Sequence, residues 1–362
     1  MTPSQIRALL ETLIPAREPV LLVGPPGIGK SDVATAVAAS LNHDLIITHP
    51  VVEDPTDYKG MPAVIHGDGG PTASFLPFGE LNRMLSATVP TVVMMDDLGQ
   101  APPAVQAAVM QLILARQING RRISDHVSFI AATNRREDRA AVTGFIAPLL
   151  DRFTCVVPME FDLDEWVAWG IRNNMPVELL AFVRLQPTAI LGFRQDPDGA
   201  PGTGDASSTE QTPARARGGN TMTKSPTPRS VAGLGRLVNL GILDLNTLAG
   251  AAGEAFATAF VAFHTTWREI PDRNEIYLNP DLVPVPERAD VRYALMGSLA
   301  FAANPGNFDQ TIRYLARVPT EFAVACVKDA VARHPELAKT QSFIRWSIEH
   351  SAAFSFDAAT AA

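Results

Sequence analysis

Residues 24–31 constrain this chain more than any other stretch. They read Gly-Pro-Pro-Gly-Ile-Gly-Lys-Ser, which is a glycine, four spacers and then Gly-Lys-Ser. The apolar residues 19–23 before them predict a buried strand, and residues 31–41 after them predict a helix. Glycines let a backbone turn tightly, and the first turn of a helix leaves N–H donors unpaired, so the segment predicts a phosphate-binding loop. The alternative is a glycine-rich turn that holds no ligand, which the lysine, serine and flanking elements together disfavour.

The residues of this loop have separate expected roles. Lys30 would reach the β- and γ-phosphates of a nucleotide, and the Ser31 hydroxyl would bind Mg²⁺. ATP and Mg²⁺ are therefore the predicted cofactors. The predicted nucleotide-binding residues are Gly24, Pro25, Pro26, Gly27, Ile28, Gly29, Lys30, Ser31 and Asp32.

A second motif lies at residues 91–97, where a buried strand ends in two acids. Asp96 would belong to the Mg²⁺ shell together with Ser31, and Asp97 could polarise the attacking water. The structural alternative is that both acids cap the following helix, predicted over residues 101–115. Apolar runs that end in acids are common, but the position of this one after a phosphate loop favours the catalytic interpretation.

Two further polar residues follow core strands. Asn134 ends the strand predicted at residues 127–133 and could orient water beside the γ-phosphate, or simply close a turn. Arg152 follows a helix that ends near residue 151. It is either an ordinary cation at a helix C-terminus or a guanidinium offered to the nucleotide of a neighbouring subunit.

Composition limits the class of protein. The 362 residues suffice for two or three domains, and no apolar run is long enough to cross a bilayer. The net charge of −8 argues against a protein that coats nucleic acid. Two distant cysteines and the absence of a secretory signal indicate a cytoplasmic location and no structural metal.

Three domains are predicted. Residues 1–159 would form the nucleotide-binding domain, with inserted β-hairpins at 63–76 and 116–127, the second around the turn-forming pair Asn119-Gly120. Residues 160–268 would form a helical lid, with a mobile loop at 195–227 that is rich in Pro, Gly, Ser and Thr. Residues 269–362 would form a helical C-terminal extension after a proline-rich connection.

The loop GPPGIGKS, the strand VVMMDD, the triplet ATN and the segment LLDRF stand in one order. In this the chain resembles the AAA+ ATPases, and most closely the MoxR family, because of the segment DDLGQAPPAVQAAVMQLILARQI and the two hairpins. The resemblance implies an α/β P-loop NTPase fold, an αβα sandwich of AAA+ type followed by an all-helical lid. It is strong for residues 15–160, fair for the lid and absent beyond about residue 270.

The resemblance also implies residue roles and partners. Asn134 would be the first sensor, Arg152 the arginine finger acting across a subunit interface, and Arg229 the second sensor reaching the γ-phosphate from the lid. Similar proteins form hexamers and act as chaperone-like ATPases on protein clients, commonly beside a partner with a von Willebrand A domain. The two hairpins would line the central pore and touch the client.

Two positions depart from the family pattern. Asp97 stands where the family carries glutamate, and Gln100 stands where many relatives carry arginine. The shorter carboxylate would align water less well, so either hydrolysis is slow or another acid takes the place of Asp97. Two alternatives stay open. Asp97 motivates a nucleotide-gated scaffold with weak turnover. The other is a DNA-acting motor, since relatives with the same hairpins move nucleic acid; the net negative charge weighs against it, but Arg121 and Arg122 at a hairpin tip keep it open.

Overall fold

The computed structural model describes residues 1–67, 70–135, 146–190, 224–267 and 270–350. The chain divides into two compact units, Met1–Asp162 and Leu163–Ala362. Among the described helices, none is long and apolar enough to cross a membrane.

The first unit is built on a five-stranded parallel sheet. The elements of this unit are α1 (Pro3–Leu13), β1 (Val20–Val23), α2 (Lys30–Ser40), β2 (Asp44–Thr48), α3 (Pro55–Lys59), β3 (Met61–Gly67), β4 (Gly70–Leu76), α4 (Gly79–Ser86), β5 (Thr91–Met95), α5 (Pro103–Ala115), β6 (Gln117–Ile118), β7 (Arg121–Arg122), β8 (Val127–Thr133), α6 (Ala147–Leu150) and β9 (Cys155–Pro158). The strand order of the sheet is β2-β5-β8-β1-β9, and all neighbouring strands are parallel. The parallel sheet with flanking helices is the P-loop NTPase fold that the sequence predicts.

Alternation along the strands produces two cores, one on each face of the sheet. In β1, Val20 and Leu22 pack with α1 and α2, whereas Leu21 packs with α4 and α5. In β5, Val92 and Met94 face the core formed with α1 and α2, whereas Val93 and Met95 face the core formed with α4 and α5. Because successive side chains of a strand point to opposite faces, near-continuous apolar strands are what a sheet covered on both sides requires. The result is an αβα sandwich.

Two antiparallel hairpins project from this sandwich. β3 and β4 pair from Met61↔Leu76 to Gly67↔Gly70, and the tip at residues 68–69 lies outside the described residues. β6 and β7 pair over two residues, and the turn between them has Asn119 at φ 48° and Gly120 at φ 76°. Two consecutive positive φ values are what a type I′ turn needs, which explains the Asn-Gly pair.

The second unit is helical in every element that the structure describes apart from short 3₁₀ turns. These helices are α7 (Leu163–Arg172), α8 (Val177–Leu185), α9 (Pro228–Asn239), α10 (Leu245–Ala252), α11 (Glu254–Trp267), α12 (Arg273–Leu278), α13 (Ala289–Ala302), α14 (Phe308–Leu315), α15 (Thr320–Arg333) and α16 (Gln341–Glu349). Gly253, at φ 94°, separates α10 from α11. Most of the predicted mobile loop, residues 195–223, lies outside the described residues.

Buried contacts join the early and late helices of this second unit. Phe182 on α8 packs in the aromatic core with three phenylalanines of α11. The guanidinium of Arg184 on α8 donates to both carboxylate oxygens of Asp329 on α15, with the Nη2–Oδ1 distance at 2.6 Å. The proposed boundary at residues 268/269 therefore falls inside one compact unit, and the separation of a lid from an extension stays a prediction.

Candidate functional site

The candidate site lies where three adjacent strands of the first unit end. β5, β8 and β1 are neighbours in the parallel sheet, so their carboxyl ends lie at one edge. Asp96 and Asp97 follow β5, Asn134 follows β8, and the glycine loop beginning at Gly24 follows β1. In open α/β sheets ligands bind in a crevice at this edge.

Close packing fixes the start of the glycine loop. Gly24 donates its N–H to the carbonyl of Thr133 at 3.2 Å, which ties the loop to β8. A Cβ on Gly24 would meet the backbone oxygen of Met159 at 2.9 Å and the Met159 Cβ at 3.3 Å. The position therefore excludes every residue but glycine without a backbone shift.

The loop presents backbone donors that have no acceptor in the part of the chain that the structure describes. Gly27 and Gly29 have φ values of 73° and 103°, left-handed conformations that glycine adopts without strain. Gly29 is also the N-cap of α2, so no side chain caps this helix. Among the described residues, the N–H groups of Gly27, Gly29 and Ser31 donate to no oxygen. Such donors at a helix N-terminus fit an anionic phosphate group.

Lys30 is buried at the centre of the site. Its Nζ donates to the carbonyls of Gly24 at 2.8 Å and Pro25 at 2.9 Å, and to Asn134 Oδ1 at 2.8 Å. A buried ammonium needs such partners because leaving water is costly for a charge. Lys30 thereby connects the loop after β1 with the residue after β8.

Ser31 and Asp96 meet directly. Ser31 Oγ donates to Asp96 Oδ2 at 2.6 Å, and the other carboxylate oxygen of Asp96 accepts the N–H of Asp97 at 3.1 Å. A hydroxyl and a carboxylate are the oxygen ligands that Mg²⁺ takes from a protein beside water and phosphate. The two residues fit the predicted metal site.

Asp97 has a left-handed backbone, with φ 55° and ψ 32°. Aspartate and asparagine tolerate this conformation better than other non-glycine residues. Its Oδ1 accepts two amide hydrogen bonds, from Gln100 Nε2 at 3.0 Å and from Asn134 Nδ2 at 3.3 Å. Asn134 thus bridges Lys30 and Asp97, which is more than closing a turn requires.

The other predicted site residues are not part of this network. Asp32 is exposed in the first turn of α2. Arg152 follows α6 in the same unit, and its Nε is buried with no hydrogen-bond partner in the part of the chain described. Arg229 is exposed in the first turn of α9 in the second unit. The roles expected for these three residues stay predictions.

Gln100 belongs to the polar network through its contact with Asp97, and the sequence does not predict this contact. The resemblance marks it as a departure, yet nothing in the sequence joins it to Asp97. The connection comes from a short 3₁₀ turn at Leu98–Gln100, in which the Gln100 N–H donates to the Asp97 carbonyl at 2.9 Å. Residues three apart in such a turn lie above one another, so a side chain at 100 returns to 97.

Residues 20–160 match the model of one protein family, the ATPase family associated with various cellular activities (AAA). These residues form an AAA domain. The match ends within the first unit, and it contains every residue of the polar network described above.

Three solved structures illustrate what the chain is similar to. A candidate ATPase from Cytophaga hutchinsonii shares 18% identity at a TM-score of 0.33, over 47% of this chain and 50% of that one. A RuvB mutant of Thermotoga maritima shares 17% identity at a TM-score of 0.41, over 81% and 79% of the two chains. NtrX from Brucella abortus with ADP shares 13% at a TM-score of 0.40, over 97% and 68%. Similarities this low carry no part of the functional argument.

Proposed function

We propose that the AAA domain binds Mg·ATP and hydrolyses it to ADP and phosphate. The observation that carries this proposal is the polar network in which Lys30, Asn134 and Asp97 are joined by hydrogen bonds beside the Ser31–Asp96 pair. Phosphoryl transfer to water requires three kinds of group: a cation that binds the phosphates, ligands for a metal ion, and an acid that orients water. Lys30, the Ser31–Asp96 pair and Asp97 are groups of these kinds.

Each residue would do one part of this work. The free N–H groups of Gly27, Gly29 and Ser31 would hold phosphate oxygens, and Lys30 would bind the β- and γ-phosphates. Ser31 and Asp96 would hold Mg²⁺, which supplies charge neutralisation on the phosphates when it is bound. Asp97 would accept a hydrogen bond from the attacking water, and Asn134 would fix the direction of that carboxylate.

Nucleotide binding tests the proposal first. Titration of a fluorescent ATP analogue in the presence of Mg²⁺ should show saturable binding, and Lys30→Ala should weaken it by more than about tenfold, since a charge-assisted contact to phosphate is lost. Lys339→Ala is the matched control, because Lys339 is an exposed lysine of the second unit. Absence of saturable binding in the unmodified chain, or equal affinities in both variants, would refute the proposal.

We further propose that the chain acts as a ring, with Arg152 reaching the nucleotide of a neighbouring copy. What supports this is that Arg152 Nε is buried and has no hydrogen-bond partner among the residues described. An arginine placed on a transferring phosphate is worth several orders of magnitude in rate. Mixing Lys30→Ala protein with Arg152→Ala protein should restore turnover that neither shows alone. Additive, near-zero rates in the mixture would exclude action between subunits.

The proposed work of the ring is remodelling of protein clients, alongside a partner with a von Willebrand A domain. The two hairpins would contact the client. β3–β4 exposes apolar side chains, with Val64 at 64% and Met61 at 52% exposure, which suits transient contact with unfolded chain. Changing Arg121 and Arg122 together to alanine should reduce client-stimulated turnover. Unchanged stimulation would remove the second hairpin from the proposed client surface.

Two other functions make different predictions at the same residues. A DNA-acting motor would need free cations at the hairpin tip, but Arg122 forms an ion pair with Asp125 at 3.0 Å. Salt-dependent stimulation of turnover by DNA would support the motor function.

A scaffold that binds ATP and barely hydrolyses it is motivated by Asp97. Ordinary turnover in the unmodified chain removes this function, whereas a large gain in Asp97→Glu supports it.

A further inference from the structure

We infer that Gln100 is a positioning residue for hydrolysis, which holds the Asp97 carboxylate in the orientation that water activation needs. The inference rests on the proposed function of the AAA domain. It assigns to Gln100 a task that follows from one contact, the 3.0 Å hydrogen bond from its Nε2 to Asp97 Oδ1.

Both amide donors at Asp97 use the same carboxylate oxygen. Gln100 Nε2 and Asn134 Nδ2 donate to Oδ1, and among the described residues nothing donates to Oδ2. A carboxylate held through one oxygen cannot rotate freely, so the other oxygen has a defined direction. Oδ2 is thereby kept as the acceptor for a water molecule, which is what a water-orienting acid needs.

The second amide matters because Asp97 is short. Asp97 carries its carboxylate on one methylene, and its left-handed backbone sets where that methylene points. Asn134 contacts Oδ1 at 3.3 Å, just beyond the usual range of N–H···O distances, whereas Gln100 contacts it at 3.0 Å, within that range. The closer amide belongs to Gln100, which is also the residue nearest in the chain. Gln100 is therefore the main constraint on the carboxylate.

The other end of the Gln100 side chain supports this assignment. Its Oε1 is buried and has no hydrogen-bond donor in the described parts of the chain. A buried acceptor without a donor is destabilising, so the orientation of this amide needs an explanation. Turning the amide over would place Oε1 against the Asp97 carboxylate, oxygen against oxygen, so the orientation is fixed by Asp97. Gln100 thus keeps its bond to Asp97 although its own carbonyl is left unpaired.

Steady-state kinetics of the full chain tests the inference. Gln100→Met keeps the length of the side chain and removes the donor, so kcat should fall about tenfold or more while KM for ATP stays within about twofold. Gln100→Glu places a second carboxylate beside Asp97 and should lower kcat at least as much. Gln106→Met is the matched control, because Gln106 is buried and donates to the Ala101 carbonyl at 3.0 Å, a structural contact on α5. It should reduce stability without a selective loss of kcat.

A second measurement needs no nucleotide. In a double-mutant cycle of urea unfolding, Gln100→Met should reduce the ratio of folded to unfolded protein about fivefold more in the native background than in Asp97→Gly. Glycine suits the backbone conformation of residue 97, so the cycle reports on the side-chain contact. No coupling in this cycle, or an unchanged kcat in Gln100→Met while the chain hydrolyses ATP, would overturn the inference alone. A chain that neither binds nor hydrolyses ATP would overturn the proposed function and the inference with it.

Discussion

Replacing Gly24 by alanine should weaken nucleotide binding through a single steric contact. The added Cβ would lie 2.9 Å from the backbone oxygen of Met159, where ordinary van der Waals contact begins at 3.4 Å. Met159 cannot yield easily, because its N–H donates to the Val23 carbonyl at 2.7 Å and β9 pairs with β1 just before it. The backbone of residue 24 must therefore move by several tenths of an ångström.

The size of the effect follows from what this movement disturbs. Overpacking against fixed backbone destabilises a protein by about 1–3 kcal/mol. The movement also weakens the bond from the Gly24 N–H to Thr133 and displaces the Gly24 carbonyl from Lys30. If ATP binding forces residue 24 back to its native position, this strain opposes binding. Because about 1.4 kcal/mol corresponds to a tenfold change in affinity, ATP affinity should then fall by about 10- to 100-fold.

Equilibrium titration with a fluorescent ATP analogue and urea unfolding of the same samples measure both effects. Gly250→Ala is the control, since Gly250 lies in α10 with no atom within 4 Å of its added Cβ. Alanine there should leave affinity unchanged and raise helix stability by up to about 1 kcal/mol. If Gly24→Ala binds ATP within about twofold of the native chain and unfolds at the same urea concentration, the steric reasoning is wrong.

Three further predictions concern stability. Arg184→Leu should cost about 3–5 kcal/mol in urea unfolding because it leaves Asp329 buried without its cation, whereas replacing both by leucine should cost much less; equal losses in the two variants would contradict this. Cys326 is buried, and burial raises the pKa of its thiol. Iodoacetamide should therefore label the partly buried Cys155 first and Cys326 only on unfolding, and rapid labelling of both in the native chain would refute this. Hydrogen bonds from Thr247 lower the pKa of Asp244, so the stability that this cap gives α10 is present above about pH 4 and lost as pH falls through the lower folded-state pKa. The urea midpoints of the native chain and Asp244→Ala should converge as the pH falls below about 4, the ordinary pKa of aspartate, and a constant difference would exclude the charged cap.

The glycine loop and the strands around it could be predicted because their signals are local. A buried strand, a glycine turn and a helix follow one another within residues 19–41, and no distant contact is needed to recognise them. The Asn-Gly pair at 119–120 predicts its hairpin for the same reason. These elements have a local pattern that agrees with the final fold, which makes their prediction reliable.

Two short helices lie where the composition of the sequence is typical of turns, although it also contains residues that cap them. Residues 54–60 are rich in turn-forming residues, but Asp54 accepts the Thr56 N–H at 3.0 Å and Asp57 accepts the Asp54 N–H at 2.7 Å, which is a capping box for α3. Asp272 caps α12 by accepting the Asn274 N–H at 3.0 Å, within the proline-rich connection. Helices this short are stable only through tertiary packing, and Tyr58 and Ile276 are buried in their cores.

The contact between Gln100 and Asp97 could not be predicted, because it depends on the backbone conformation of Asp97. Only a left-handed residue followed by a 3₁₀ turn brings the amide back onto the carboxylate. The same geometry explains why aspartate stands at position 97. A longer acid would extend its reach, but aspartate fits the left-handed conformation better and receives its orientation from two neighbouring amides.

The polar network also connects phosphate binding to the orientation of water. Lys30 donates to Asn134 Oδ1, so the ammonium and the amide share one hydrogen bond. A γ-phosphate that drew Lys30 towards itself would weaken this bond, and the Asn134 amide would then be held chiefly by Asp97 at its other end. Gln100 is outside this exchange, because its donor contacts Asp97 and not Lys30. Asp97 would therefore keep its orientation through Gln100 while Asn134 responds to the phosphate. If Gln100 is removed, substitutions of Asn134 should lower kcat more than the same substitutions do in the native chain.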